Sequence, residues 1–309
     1  MKEQPLSTSI VITTKNRKED LRRALSSCLR QTITSELIVI DDGSTDGTEE
    51  LVRKEFPTVR IVREEVSKGY IVQRNRGAQL ASGDIIFSID DDAEFSSPHS
   101  VEQTLLDFDR SSVAAVTIPF INVNSSDTVH RRAPDAKSVF LTDAFIGTAH
   151  AIRRDVFLMV GGYREFLFHQ GEEEDLCIRM LDIGRYTRLG SADHINHYHS
   201  PVRDHRRISV YRARNRLLFS WYNVPMPHLL LDLPASTINN LIFGFKVGRP
   251  AWAMQGILKG LADCTSQLAE RHPVRADTYR LFRELRRGRG LPLEAVGHRL
   301  RLPIELKAG

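Results

Sequence analysis

Three consecutive aspartates, Asp90-Asp91-Asp92, follow directly on the apolar run Ile85–Ile89 (IIFSI). Carboxylates at the end of a buried strand suit a divalent cation that carries a diphosphate. Mg²⁺ or Mn²⁺ needs only one or two protein carboxylates there, because phosphate oxygens and water complete its shell. Alternate residues at a strand end can aim one carboxylate at the metal and another at a sugar on the diphosphate. An acidic turn or helix cap is the plainer reading of such a triplet. The other acids at neighbouring strand ends weigh against it.

Four further groups carry possible chemistry. Asp41-Asp42-Gly43-Ser44 closes the run Leu37–Ile40, where a carboxylate can accept hydrogen bonds from a base or ribose. The same residues also suit a capped turn. Glu172-Glu173-Glu174-Asp175 packs four acids together, whose repulsion raises the pKa of some and makes a general base available. Alternatively, they complement the positive end of a helix. His197-Tyr198-His199 offers imidazole nitrogen to Mn²⁺, or a protonated ring to diphosphate. Arg74 or Arg76 can pair its fork of donors with phosphate oxygens, or serve only as surface charge on a helix.

These groups need a frame, and the hydrophobic pattern supplies one. Ser9–Thr14, Leu37–Ile40, Val59–Val62, Ile85–Ile89 and Val113–Ile118 read as buried strands. Between them, Arg17–Arg30 places Leu21, Leu25, Cys28 and Leu29 on one helical face, and Thr48–Phe56 and Tyr70–Ala81 also read as helices. Alternating strands and helices predict an α/β fold with a mostly parallel, Rossmann-like sheet, whose ligands bind at the carboxyl ends of the strands. The acidic clusters lie at those ends. Farther on, Asn122–Lys137 reads as a long polar loop and candidate lid, Glu172–Ile183 as a helix and Arg188–Asn196 as a last strand. Helical patterns dominate from Ser209, so the expected domains are 1–223 and a helical extension, 224–309.

The bulk composition is that of an ordinary globular chain of 309 residues. A net charge of +4, from 43 basic and 39 acidic residues, gives no reason to expect a nucleic-acid partner. The excess is local: Arg271–Gly309 holds ten Lys/Arg against four acids, either a solvated face or one drawn to an anionic membrane. Cys28, Cys177 and Cys264 form no metal or disulfide pattern and fit a reducing compartment. No long apolar segment marks a signal peptide or a spanning helix, so a cytoplasmic location is expected, with peripheral contact at the inner membrane face. A homodimer would equally use the C-terminal helices.

Taken together, five segments resemble glycosyltransferase family 2, enzymes of the GT-A fold. In order they are TTKNR, LIVIDDGSTDGT, QRNRGAQLASGDIIFSIDDDA, GGYREFLFHQGEEEDLCIRM and RARNRLL, covering about two-thirds of the chain from Thr8 to Arg216. The likeness is greatest to bacterial enzymes of surface-polysaccharide assembly, including rhamnosyltransferase-like members. It implies that Thr13, Thr14 and Arg17 line a nucleotide pocket and that Asp41 or Asp42 contacts the base. Asp92 becomes the main metal ligand, Asp90 approaches ribose or sugar, and Asp91 is structural. His197, with His199 as rival, corresponds to a histidine that binds metal or diphosphate. The family commonly reads Glu-Asp-x-Asp-Leu where this chain has Glu172-Glu173-Glu174-Asp175-Leu176, so Glu173 stands as the base, with Glu172 and Asp175 as alternatives.

The resemblance thus implies a metal-dependent, inverting transfer from a nucleoside-diphosphate sugar to a hydroxyl of a glycan or lipid-linked acceptor. A nucleotidyltransferase would also use strand-end acids, but TTKNR lacks the glycine of a phosphate loop. A binding protein without catalysis would not need the acidic helix. Hydride transfer is disfavoured because no G-x-G-x-x-G follows the first strand.

Overall fold

The computed structural model describes residues 5–198, 204–266, 271–288 and 290–300. The first half alternates as its hydrophobic pattern requires: β1 (Thr8–Thr14), α1 (Lys18–Leu29), β2 (Glu36–Asp41), α2 (Thr48–Glu55), β3 (Arg60–Arg63), α3 (Tyr70–Leu80) and β4 (Ile85–Ile89). Strands β1, β2, β3 and β4 are mutually parallel where they pair. Their continuous apolar runs follow from burial on both faces. Ile10 and Ile12 of β1 enter one core cluster with Leu21 and Leu25, while Val11 enters the other with Ile71 and Ala78. Leu29 departs from the expected apolar face of α1 and is 49% exposed, having turned past the contact made by Cys28. Helix α3 approaches β1 so closely that a Cβ on Gly77 would lie 2.3 Å from Val11 Cγ1.

Beyond β4 come β5 (Ala93–Phe95), α4 (Ser100–Leu106), β6 (Val113–Thr117), β7 (Phe120–Asn122), β8 (Ser126–His130), β9 (Phe140–Thr142), β10 (Ala149–Arg153) and α5 (Arg154–Met159). They are followed by α6 (Glu172–Asp182), β11 (Tyr186–Leu189), β12 (Ile195–His197) and α7 (His205–Asn223). With the short C-terminal strand β13 (Leu291–Pro292) at one edge, the main sheet has the order β13-β9-β11-β6-β10-β4-β1-β2-β3. It is mixed rather than mostly parallel, because β10 runs against both β4 and β6, and β9 against β11.

A second sheet, β5-β12-β7-β8, was not expected from the sequence. It corrects two readings. The supposed loop Asn122–Lys137 contains β8, which forms an antiparallel pair with β7, so the segment is built on a hairpin. The supposed single strand Arg188–Asn196 is divided, β11 lying in the main sheet and β12 in the second one.

The C-terminal elements are α8 (Leu229–Lys246), α9 (Pro250–Ser266), α10 (Ala276–Gly288), the two-residue β13 (Leu291–Pro292) and α11 (Leu293–Val296). This extension is not wholly helical, since β13 pairs with β9 at the sheet edge. Tyr279, Phe282 and Leu285 of α10 are buried in the same cluster as Ile10 and Phe87. Among the described residues, no helix is long and apolar enough to cross a membrane.

Candidate active site

Strand β4 ends the buried core and delivers Asp90, Asp91 and Asp92 into a cleft of about 640 Å³. Strand β12 runs antiparallel to β5 with His197 opposite Ala93, and Tyr198 N donates to Asp92 O at 2.8 Å. That pairing carries His197 across 105 residues of chain, to place Nε2 3.3 Å from Asp92 Oδ1. One ligand atom from each of Asp90, Asp92 and His197 falls within 4.8 Å of the others. Two carboxylate oxygens and one imidazole nitrogen at that spacing fit Mn²⁺ or Mg²⁺, and the nitrogen favours the former. His199 lies outside the described residues.

The three aspartates are unequal. Asp91 accepts from Thr14 Oγ1 at 2.8 Å and Arg17 Nη1 at 3.0 Å, so it is bound into the wall. Burial pushes its carboxyl up to about 7 despite the Arg17 charge. Arg17 Nη1 also lies 3.0 Å from Asp92 Oδ2. Burial opposes ionisation of Asp92 too, but His197 and Arg17 outweigh it and bring the carboxyl down to about 2. Asp90, 30% exposed, faces the cleft and accepts from Arg74 Nη2 at 2.6 Å.

Arg74 is buried on α3 and bridges two acids, since its Nη1 also lies 3.4 Å from Glu172 Oε1. Arg76, two residues on, points elsewhere and pairs with Glu64. Both Glu172 and Glu173 line the cleft, and Glu172 Oε2 is buried without a hydrogen-bond partner. Burial, reinforced by the Glu172 charge, pushes the Glu173 carboxyl up to about 8. Asp175 does not line the cleft. Arg164, Arg179 and Asn223 hold it at 2.6, 2.9 and 2.8 Å, so the third candidate base is a structural ion pair inside the fold.

The residues expected at a nucleotide also divide. Thr13, Thr14, Arg17 and Asp42 line the cleft, whereas Asp41 does not. Asp41 is fully buried, with Ser44 N donating to Oδ1 at 2.9 Å and Arg63 Nε 3.7 Å from Oδ2. Asp42 already accepts from Ser67 Oγ, Lys68 N, Gly69 N and Gln73 Nε2, at 2.5 to 3.0 Å. Its carboxylate therefore ties the loop before α3 to the end of β2, and burial is overcome by these donors to leave its pKa lowered.

Gly147, Thr148 and Arg207 of the cleft carried no signal in the sequence, and His169 and Gln170 stood in the segment GGYREFLFHQGEEEDLCIRM without being singled out. With Tyr70 they come from four separate segments that only tertiary contacts bring together. The loop before α6 has left-handed backbone at Phe168, Gln170 and Gly171, with φ of 61°, 67° and 87°. For the two non-glycine residues this costs about 1–3 kcal/mol each. Asn215 Nδ2 sits 2.8, 2.9 and 2.7 Å from the carbonyls of Leu167, His169 and Gln170, and Tyr70 Oη accepts from Gln170 N at 2.9 Å. These contacts hold the loop that presents Glu172 and Glu173. The motif RARNRLL marked Asn215 without revealing this role.

The model of glycosyl transferase family 2 matches residues 9–168. Among curated relatives, the succinoglycan biosynthesis protein ExoU of Rhizobium meliloti (strain 1021) is 30% identical over 210 residues, which cover 60% of each chain. The alignment thus spans less than two-thirds of that relative's length. The putative colanic acid biosynthesis glycosyl transferase WcaA of Escherichia coli (strain K12) is 27% identical over 221 residues, 64% of this chain and 75% of that one. Among solved structures, a mannosyltransferase of Pyrobaculum calidifontis in complex with GDP-Man and Mn²⁺ superposes with TM-score 0.60 at 17% identity, covering 84% of this chain and 88% of that one. TarS 1-349 of S. aureus in complex with UDP-GlcNAc gives TM-score 0.61 at 14% identity, covering 84% and 80%. The fold is GT-A.

Proposed function

The chain belongs to glycosyl transferase family 2, and on that premise we propose that it moves a sugar from a nucleoside-diphosphate sugar to a hydroxyl of a glycan or lipid-linked acceptor, with inversion, in cell-surface polysaccharide synthesis. The observation that carries this reading is one cleft with a cation-ligand set, Asp90, Asp92 and His197, and a carboxyl of raised pKa, Glu173.

Asp92 and His197, with Asp90, would hold Mn²⁺ or Mg²⁺. The ion supplies Lewis-acid stabilisation of the departing diphosphate. Thr13, Thr14 and Arg17 line the nucleotide end, and Asp42 supports that wall through the Ser67–Gly69 loop. Arg74 keeps Asp90 and Glu172 from repelling each other and sets the distance between metal and base sides of the cleft. In the reaction the acceptor oxygen bonds to the anomeric carbon as the bond to diphosphate breaks, and Glu173 takes the hydroxyl proton. A carboxyl poised near neutral pH is matched to that task. Glu172, buried against Arg74, is the positioning partner.

Membrane contact is part of the same proposal, but its support lies in the apolar residues rather than the basic stretch. Several C-terminal arginines already have acid partners in the chain: Arg275 with Asp182, Arg280 with Asp277, Arg286 with Glu174 and Arg299 with Glu284. By contrast Leu231, Ile238, Ile242 and Phe245 of α8 are 78, 58, 59 and 67% exposed, and Leu258 of α9 is 61% exposed. Apolar stripes on neighbouring helices suit a surface that lies on a bilayer, here the inner face of the cell membrane.

A thermal-shift panel of nucleoside diphosphates and their sugars, with and without Mn²⁺, tests the transfer reading. Metal-dependent stabilisation by at least one nucleotide is expected, and Asp92→Asn should abolish the metal effect. If no nucleotide stabilises the protein with metal, the reading fails. Flotation with anionic vesicles tests the membrane contact, which Ile242→Glu should weaken.

A further inference from the structure

Helix α6 separates two cavities. Glu173 faces the cleft already described, while Glu174, the next residue, faces a second cavity of about 600 Å³ between α6, α7, α8 and α10. Gln170 lines both, so the two spaces meet at the loop that precedes α6. The second cavity is rich in cations. Arg212, Arg216 and Arg286 stand in its wall against one carboxylate, Glu174, which pairs with Arg286 and lies 3.3 Å from Arg216 Nη1. Behind the wall Asp143 is shared between Arg286 and Arg131, at 3.4 and 3.6 Å. Asp232 of α8 also acts on Arg216, so four guanidinium groups stand against three carboxylates and the local balance stays positive.

The remaining donors are suited to an oxyanion. Arg212 lies over the Phe243 ring at 3.5 Å, a stacking that leaves its in-plane N–H groups free to point elsewhere. Asn239 and Asn240 add amides from α8. Burial, and after it the like charge of Arg286, hold the Arg216 guanidinium below its usual range. A bound anion would relieve that repulsion.

We propose that this cavity binds a phosphate or diphosphate group carried by the acceptor, which then reaches past Gln170 to present its hydroxyl to Glu173. The inference rests on the transferase reading above. A diphosphate matches the surplus of guanidinium over carboxylate better than a single carboxylate would, and arginine forks suit phosphate oxygens. Helix α8, which supplies Asn239 and Asn240, also carries the exposed Ile238 and Ile242, so a lipid tail on the diphosphate would have an apolar surface beside it.

Inorganic pyrophosphate is the probe, used in EDTA so that metal-dependent binding in the first cleft is silent. It should raise the melting temperature of the wild type, and Arg212→Gln should remove most of that shift. Arg286→Gln is the second variant, should the first fail to fold. Nucleoside diphosphate with Mn²⁺ should still stabilise both variants. In transfer assays either variant should raise KM for a diphosphate-linked glycoside about tenfold relative to a neutral glycoside, the scale of one lost charged hydrogen bond. A short prenyl diphosphate that acts at lower concentration than pyrophosphate identifies a lipid-carried acceptor, and equal concentrations identify a water-soluble one; both support the pocket. The proposal is overturned if pyrophosphate fails to shift the wild type, or shifts Arg212→Gln equally, while the nucleotide–Mn²⁺ shift persists. Loss of that nucleotide shift in the wild type would instead sink the transferase reading.

Discussion

Asn122 and His197 are register partners on β7 and β12, and Asn122 Oδ1 lies 3.1 Å from His197 Nδ1. An amide oxygen there can accept a proton from Nδ1, which leaves Nε2 as the ring nitrogen turned towards Asp92 and available to a cation. A ligand histidine fixed in this way has its ring orientation set before metal arrives. Losing such a partner typically weakens metal binding about 10–100-fold. Asn122→Ala should therefore raise the Mn²⁺ concentration needed for half-maximal nucleotide stabilisation by that order. Asn122→Asp, which also accepts from Nδ1, should restore it. An unchanged Mn²⁺ requirement in Asn122→Ala would show that the contact does not orient a ligand.

Glu173 is the second test. As base it must be ionised, and its carboxyl is pushed up to about 8 by burial and the Glu172 charge. Turnover should rise with pH through about 8, and Glu173→Gln should cut it about 10²–10⁴-fold while sparing donor binding. Normal turnover in Glu173→Gln would remove it from the mechanism.

The same group gives a stability prediction with a definite sign. Its folded pKa lies above the ordinary carboxyl value, so the fold prefers the protonated form. The stability this contributes is present at low pH and lost as pH rises through about 8. Glu173→Gln has no such loss. Its melting temperature should exceed that of the wild type at pH 9, and the gap should close towards pH 5. A gap independent of pH would contradict the raised pKa.

How much of this was legible beforehand depended on the range of the contacts. Strands such as Ile85–Ile89 announce themselves because both faces are buried and every residue but Ser88 is apolar. The second sheet did not, since β5, β7 and β12 have three residues each and pair across long stretches of chain. The acids of α6 were located but not sorted. Glu173 and Asp175 are two positions apart, about 200° around a helix, so they must face apart. Which faces the cleft is decided by Arg179, one turn on in α6, and by Arg164 and Asn223, which claim Asp175 from elsewhere in the fold. Arg74 stood out from Arg76 only once α3 was placed against β1 and β2.

Asn215 supports the loop that carries the acids, and its contribution should appear in turnover as well as stability. Asn215→Ala would leave three carbonyls without the amide that holds them, a loss of about 1–3 kcal/mol for buried partners. The positive φ angles at Phe168 and Gln170 would then relax towards ordinary backbone, shifting Glu172 and Glu173. Turnover should fall more than the melting temperature implies, with nucleotide–Mn²⁺ stabilisation retained. Asn215→Asp, which lacks the donors, should not rescue it.

Gly147 tests the spacing between Arg74 and Glu173 from the opposite side. A Cβ added there would lie 2.7 Å from Arg74 Nη1 and 2.8 Å from Glu173 Oε1, closer than real Cβ contacts come. Both obstacles are the far ends of side chains, so Gly147→Ala can be accommodated by moving them and the fold should lose no more than about 1–3 kcal/mol. The chemistry is less tolerant. Displacing a reacting group by about 1 Å can cost about 10²-fold in rate, and this substitution moves the base and the arginine that separates it from Asp90. Gly147→Ala should therefore lower kcat by about that factor while nucleotide–Mn²⁺ binding, governed by Asp92 and His197, changes little. If kcat and melting temperature fall together and donor binding is lost as well, Gly147 serves the fold rather than the geometry of the cleft.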